Sequence, residues 1–199
     1  MVKIAVFVSG SGTNLQSLID SVNSGYINGE ISLVISNRKN AYGLERAKNA
    51  GIDAKWIKEE DKILEELESK KIDLIVLAGY LAIVGEKMIN KYENRIINIH
   101  PSLIPSFCGM GYYGIHVHEA AFKRGVKVSG ATVHFVSNEV DGGPIILQRS
   151  IDISDCNNPE DIQTKILLNI EHKILSEAVK LYCDGSLIIE DNRVIIKGE

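Results

Sequence analysis

The chain has few cysteines and nothing to pair them. Cys108, Cys156 and Cys183 are odd in number, far apart and outside any C-x-x-C spacing, which excludes a disulfide framework and a thiolate zinc site and fits a reducing cytoplasm. Long apolar runs are also missing: Met1-Val2-Lys3-Ile4-Ala5-Val6 is too short for a signal peptide, and no run approaches membrane-spanning length. The net charge is −4 and Lys and Arg are not clustered, which argues against nucleic-acid or membrane partners and for small-molecule substrates. No repeat, linker or low-complexity tract interrupts the 199 residues, and a composition 45% hydrophobic and 24% charged suits a single domain spanning 1–199.

Two common phosphate motifs are absent as well. A dinucleotide fingerprint would need glycine at Leu15 and an acid near the end of the second strand, where the chain reads Ser36-Asn37-Arg38. A Walker loop would need a lysine that is not there. What remains is Ser9-Gly10-Ser11-Gly12-Thr13-Asn14, between the apolar run Lys3–Val8 and a helical pattern at Leu15, Leu18, Ile19 and Val22. Such a strand, glycine loop and helix can hold a single phosphomonoester on converging backbone N–H groups, or can be a tight turn capped by Thr13 or Asn14.

Further buried strands are expected at 31–35, 53–57, 74–78 and 96–100, with helices at 42–50, around Ile63, Leu64 and Leu67, and at 86–92. This alternation predicts an α/β fold, a doubly wound, mostly parallel sheet flanked by helices, with antiparallel additions in the last third. Those additions are strands at 129–136 and 145–153, a long helix running from Asn158-Pro159 to Gly185 with Ile162, Ile166, Ile170, Ile174, Ala178 and Leu181 along one side, and an edge hairpin at 187–196. Glu171 falls inside that helix, where pattern alone gives a polar residue no special standing.

Within Ile96-Ile97-Asn98-Ile99-His100-Pro101-Ser102, strand alternation puts Asn98 and His100 on one face, and Pro101 ends the strand with the imidazole at its carboxyl end. The pair can be reactive, or His100 can be a capped loop residue. The Asp141-Gly142-Gly143-Pro144 stretch can be a plain hairpin turn, or can carry Asp141 to the same rim. Metal ligation by His100, His116, His118 and His134 lacks any supporting spacing, since on a helix His116 and His118 point to nearly opposite sides; no metal is expected.

Taken together, Ser9-Gly10-Ser11-Gly12-Thr13-Asn14-Leu15, Leu77-Ala78-Gly79-Tyr80, Asn98-Ile99-His100-Pro101-Ser102-Leu103-Ile104-Pro105 and Asp141-Gly142-Gly143-Pro144-Ile145 resemble the phosphoribosylglycinamide formyltransferases over nearly the whole chain. The histidine motif is shared with other formyl-handling enzymes, and the amino-terminal loop points to the glycinamide ribonucleotide members. The resemblance implies a Rossmann-like formyltransferase fold with a phosphate-binding half at 1–100 and folate-site loops, a strand pair and a long helix at 101–199. It implies transfer of the formyl group of 10-formyltetrahydrofolate, as co-substrate, to the amine of glycinamide ribonucleotide in purine biosynthesis, with no metal. It also implies substrate phosphate on Gly12, Thr13 and Asn14, ribose on Glu171, folate on Leu81, Ala82, Ile83, Val84, Asn98 and Val140, and catalysis by Asn98, His100 and Asp141.

The residue types suit that chemistry. Attack of an amine on the formyl carbon puts negative charge on oxygen, which the Asn98 amide and a protonated His100 can stabilise. A neighbouring Asp141 is expected to raise the His100 pKa and organise the water that moves protons. Competing readings are hydrolysis of the formyl folate and a non-catalytic phosphate-binding module; the chain is expected as a monomer or homodimer in the cytoplasm. Two features depart from the family. Arginine is common where Ala82 stands and again upstream of the fourth strand, where this chain has Glu59-Glu60-Asp61. The usual Pro-Gly of the lid is Cys108-Gly109, with extra residues through Ile115 that send it along another path.

Overall fold

Strict alternation along each strand decides the architecture. In a computed structural model describing residues 1–198, the chain runs β1 (Val2–Val8), α1 (Thr13–Asn23), β2 (Gly29–Ser36), α2 (Tyr42–Asn49), β3 (Ala54–Trp56), α3 (Glu60–Ser69), β4 (Leu74–Leu77), α4 (Glu86–Lys91), β5 (Ile96–His100), α5 (Ile115–Arg124), β6 (Val128–Phe135), β7 (Ile145–Asp152) and α6 (Pro159–Ile166). A π-helical turn (Leu167–Glu171), α7 (His172–Cys183), β8 (Leu187–Glu190) and β9 (Arg193–Ile196) complete it. In β1, Ile4, Val6 and Val8 bury against one helical layer while Ala5 and Phe7 bury against the other, and β4 splits Leu74 and Val76 from Ile75 and Leu77 in the same way. One layer contains Leu15 and Leu18 of α1 and Ile174 and Leu175 of α7; the other contains Ile63, Leu64 and Leu67 of α3 and Met88. A strand apolar on both faces has to lie between two layers.

The strand order is β3-β2-β1-β4-β5-β6-β7, with β3 through β5 mutually parallel and β6 and β7 added antiparallel. This is the expected doubly wound sheet. The order reverses between β1 and β4, so the loops after those two strands diverge to opposite faces and leave a crevice at their carboxyl ends, where such sheets bind ligands. No described helix is long and apolar enough to cross a membrane.

Two expectations are corrected. The segment 187–196 does form a hairpin, but β8 and β9 make their own two-stranded sheet instead of extending the edge of the main one. The long helix begins as expected, with the Asn158 side chain accepting the Asp161 N–H at 2.8 Å and Pro159 in the first turn, but it is interrupted by the π-helical turn. That turn advances the inward face by five residues after Ile166 instead of four. Ile170 is consequently only half-buried, Glu171 is buried in its place, and the core stripe resumes at Ile174, Leu175, Ala178 and Val179, leaving Leu181 half-buried.

Candidate active site

The carboxyl ends of β1, β4 and β5 open into one cleft of about 660 Å³. Every residue to which the family resemblance assigns a role borders it: Gly12, Thr13, Asn14, Leu81, Ala82, Ile83, Val84, Asn98, His100, Val140, Asp141 and Glu171.

At one end lies the turn after β1. Gly12 has φ of 71°, and a Cβ there would stand 2.6 Å from the Cα of Gly43, so both conformation and close approach demand glycine. The turn delivers the chain into α1, whose first N–H groups have no partner within the helix. Arg46 braces it by donating from Nε to the Ser11 carbonyl at 2.8 Å, and the Ser9 hydroxyl donates to Asn37 Oδ1 at 2.6 Å while accepting the Leu81 N–H at 2.8 Å. Ser9 thereby ties the glycine turn to the segment after β4. Neither Thr13 nor Asn14 caps α1 with its side chain. Instead Asn14 turns inward and its Nδ2 donates to Glu171 Oε2 at 2.8 Å, leaving Asn14 Oδ1 buried without a partner among the described residues. Burial pushes the Glu171 carboxyl up to about 7, against the opposing pull of the Asn14 amide.

At the other end, Ile97 and Ile99 anchor β5 in the core, which turns Asn98 and His100 to the opposite face. Strand β6 pairs Asn98 directly with His134 and His100 with Thr132. The Thr132 hydroxyl donates to the Ser102 carbonyl at 2.7 Å and accepts the Ile104 N–H, fixing the turn that follows His100. Ring protons are assigned by what each nitrogen faces. His134 Nδ1 lies 2.8 Å from the Phe135 carbonyl, which can only accept, so Nε2 is the lone pair that receives the Asn98 amide at 3.1 Å. This contact orients the amide, leaving a second N–H and Oδ1 for the cleft.

Asp141 closes the arrangement from the loop between β6 and β7. Its backbone takes the left-handed conformation, with φ of 57°, and a Cβ at the neighbouring Gly143 would stand 1.9 Å from the Phe135 carbonyl, so the loop can pass only with glycine there. The carboxylate lies between the two imidazoles, with Oδ2 3.6 Å from His100 Nδ1 and Oδ1 3.6 Å from His134 Nε2, and Oδ2 accepts the Gly109 N–H at 2.9 Å. Burial pushes this carboxyl up, but the imidazoles and the Gly109 amide outweigh it and hold Asp141 below the usual carboxylate range. His100 corrects an expectation. Asp141 does pull its pKa upward, but burial is the larger effect, and the imidazole ends below its ordinary value.

His134 is the member that sequence reasoning missed, having considered it only as a metal ligand. The available signal was Thr132 and His134 as polar alternates in the otherwise apolar strand Ala131–Phe135. His118, on α5, also borders the cleft; it is fully buried, with Nδ1 unpaired among the described residues, and burial with His100 nearby lowers it to about 4. His116 is exposed, with Nδ1 hydrogen-bonded to Glu119 at 2.9 Å, so the two helix histidines do diverge. Cys108 donates to the Pro105 carbonyl, and burial and Asp141 push its thiol up, contrary to what a nucleophile needs. Among the described residues, no group of three His, Cys, Asp or Glu side chains is arranged to hold a metal.

The chain is similar to known proteins over nearly its whole length. A family model described as formyl transferase matches residues 2–179, and the phosphoribosylglycinamide formyltransferase of Haemophilus influenzae is 39% identical over 100% of this chain and 95% of its own length. The chain belongs to the phosphoribosylglycinamide formyltransferase family. The Escherichia coli formyltransferase of the same name is 34% identical over 98% of this chain and 94% of its own. Among solved formyltransferases, glycinamide ribonucleotide transformylase 1 from Symbiobacterium toebii superposes with a TM-score of 0.92 at 43% identity, covering 98% of this chain and 94% of that one. The family match spans both the loop with Cys108 and the π-helical turn of this chain.

Proposed function

We propose that the cleft seats glycinamide ribonucleotide and 10-formyltetrahydrofolate together and that Asn98, His100 and Asp141 carry the formyl group between them. The observation that carries this reading is the convergence of those three side chains around one end of a cleft whose other end is a glycine turn opening a helix. The free N–H groups of Thr13 and Asn14, at the positive end of α1, suit a phosphate monoester. Glu171, held by Asn14, offers oxygen acceptors to ribose hydroxyls. The fit to a folate rests on Leu81, Ile83 and Val140, which are 41%, 75% and 44% exposed at the rim and present apolar surface for a flat heteroaromatic ring.

The reaction joins the substrate amine to the formyl carbon and breaks that carbon's bond to the folate nitrogen; one proton leaves the amine and one is gained by the departing nitrogen. Asn98 donates its remaining amide N–H to the formyl oxygen as charge collects there, with the other N–H fixed on His134. His100 supplies a second donor once its Nε2–H exchanges the Phe107 carbonyl, 2.9 Å away, for the formyl oxygen. Asp141 stabilises the imidazolium across 3.6 Å and holds the water that carries the proton from amine to leaving group. Gly12 and Asn98 from the first half of the chain line the same cleft as Asp141 and Glu171 from the second, which supports one formyltransferase unit, as a monomer or homodimer, and its free cysteines suit a reducing cytoplasm.

The test is an assay of the purified protein with both substrates, comparing wild type with Asn98→Ala. Formylated nucleotide formed by the wild type, with a turnover loss of about 10²–10³-fold in the variant, is expected. Formate released without a nucleotide acceptor would instead assign a hydrolase.

A further inference from the structure

The turn that opens α1 presents the N–H groups of Ser11, Gly12, Thr13 and Asn14 in succession, and none of them makes a hydrogen bond among the described residues. Such a row of free N–H groups suits an anion, yet no side chain from Ser9 to Asn14 is charged. Arg38, the one Lys or Arg that borders the cleft, stands on the wall shared with a second groove of about 490 Å³, which Lys58 and Tyr80 also line. The turn therefore depends on something outside itself both for the aim of its N–H groups and for positive charge.

Helix α2 supplies both. It grips two successive carbonyls of the turn: the Gly43 N–H donates to the Gly10 carbonyl at 3.0 Å, and Arg46 Nε donates to the Ser11 carbonyl at 2.8 Å. In a trans peptide the carbonyl and the N–H that follows it point in opposite directions. With both carbonyls drawn toward α2, the N–H groups of Ser11 and Gly12 are turned away from it, on residues that line the cleft. Arg46 is half-buried and itself held. Its Nη1 donates to Gln16 Oε1 at 3.2 Å, its guanidinium carbon lies 5.0 Å from the centre of the Tyr42 ring, and a Cβ at Gly12 would touch its Cδ at 3.4 Å. Among the described residues no carboxylate neutralises it, and the neighbouring Glu45 pairs with Lys48 instead. The rigid guanidinium fork meets the Ser11 carbonyl and Gln16 together while stacking on a ring, a combination that a lysine ammonium does not reproduce.

We infer that Arg46 is a positioning residue for the phosphate of the nucleotide: from behind the backbone it holds the Ser11 peptide so that the Gly12 N–H faces the ligand, and it supplies the cation that the turn lacks. The inference rests on the reading of this turn as the phosphate site. Without the guanidinium the Ser11 peptide is free to rotate, and a rotated peptide turns a carbonyl oxygen toward the anion in place of an N–H. Arg46 thus acts on the phosphate through Ser11 and Gly12, with Gly43 holding the preceding peptide in the same sense.

The experiment measures kcat/KM for glycinamide ribonucleotide and for the corresponding nucleoside lacking the phosphate, in wild type, Arg46→Gln and Arg46→Lys, with the denaturant midpoint of each variant. The readout is the ratio of the two values, nucleotide over nucleoside, which a general loss of folded protein leaves unmoved. In Arg46→Gln this ratio is expected to fall about tenfold, the scale of one charge-assisted hydrogen bond, through a rise in KM for the nucleotide with kcat little changed. Arg46→Lys keeps the charge and one donor, and its ratio is expected to fall about threefold; it carries the test alone if Arg46→Gln does not fold. A ratio that stays at the wild-type value in either variant, whatever the change in stability, overturns the inference and leaves Arg46 a structural brace. Equal kcat/KM for nucleotide and nucleoside in the wild type would instead overturn the phosphate reading of the turn, and absence of formyl transfer in the wild type would overturn the proposed reaction, so each failure is distinguishable from the others.

Discussion

His100 Nε2 donates to the backbone carbonyl of Phe107 at 2.9 Å. Because a carbonyl only accepts, the neutral ring carries its proton on Nε2 and presents the Nδ1 lone pair to Asp141, so the next proton taken up goes to the nitrogen that faces a carboxylate. Burial favours the neutral ring. With the folded pKa below the unfolded value near 6.5, protonation opposes folding, and this stabilising contribution is lost as pH falls through about 6.5. Nitrogen-edited NMR is expected to give an Nε2–H tautomer at pH 7.5 that titrates below 6.5. Asp141→Asn removes the upward pull and moves the midpoint lower still. An upward move would contradict the assignment.

His134 acts on the chemistry through Asn98. In His134→Leu the amide loses its acceptor and keeps an N–H unpaired by protein in a part-buried site, which costs about 1 kcal/mol of stability. The expected signature is a lower kcat with little change in KM for the nucleotide, alongside a lower midpoint of denaturant unfolding. Loss of stability with kcat intact would make His134 purely structural.

Glu171 gives the opposite pH signature to His100. Its folded pKa, about 7, lies above the unfolded value near 4.5, so the folded state holds a proton that the unfolded chain releases, and stability declines as pH rises from 4.5 to 7. Glu171→Gln retains an acceptor for Asn14 and cannot ionise. It is expected to be more stable than wild type at pH 8 by about 1–3 kcal/mol and no more stable at pH 4, while binding the nucleotide less well. A stability difference that does not depend on pH would contradict the buried ionisation.

Much of this was legible in the residues. Phe7 against Val6, and Ile97 against Asn98, give the two faces of each strand, and with the Gly12 turn they place a crevice at the strands' carboxyl ends. Proline 101 marks where His100 must stand. The rest depended on register and on summed environment. Nothing local announces that β6 pairs Asn98 with His134, since that follows from a long-range antiparallel pairing. The inward turn of Glu171 depends on one π-helical turn, invisible to a periodicity that assumes 3.6 residues per turn. The direction of the His100 shift depends on burial by several elements exceeding one visible carboxylate. Ala82 is a visible departure from the family's arginine, but only the fold brings Arg38 and Lys58 to the same groove.

The most direct measurement is single-turnover and steady-state kinetics of Asp141→Asn with both substrates, together with nucleotide affinity measured separately. Asparagine preserves the shape and can still meet the Gly109 N–H, so the change isolates the negative charge between the two imidazoles. A fall in turnover of about 10²–10⁴-fold with nucleotide affinity little changed is the predicted result. Turnover equal to wild type would contradict the account.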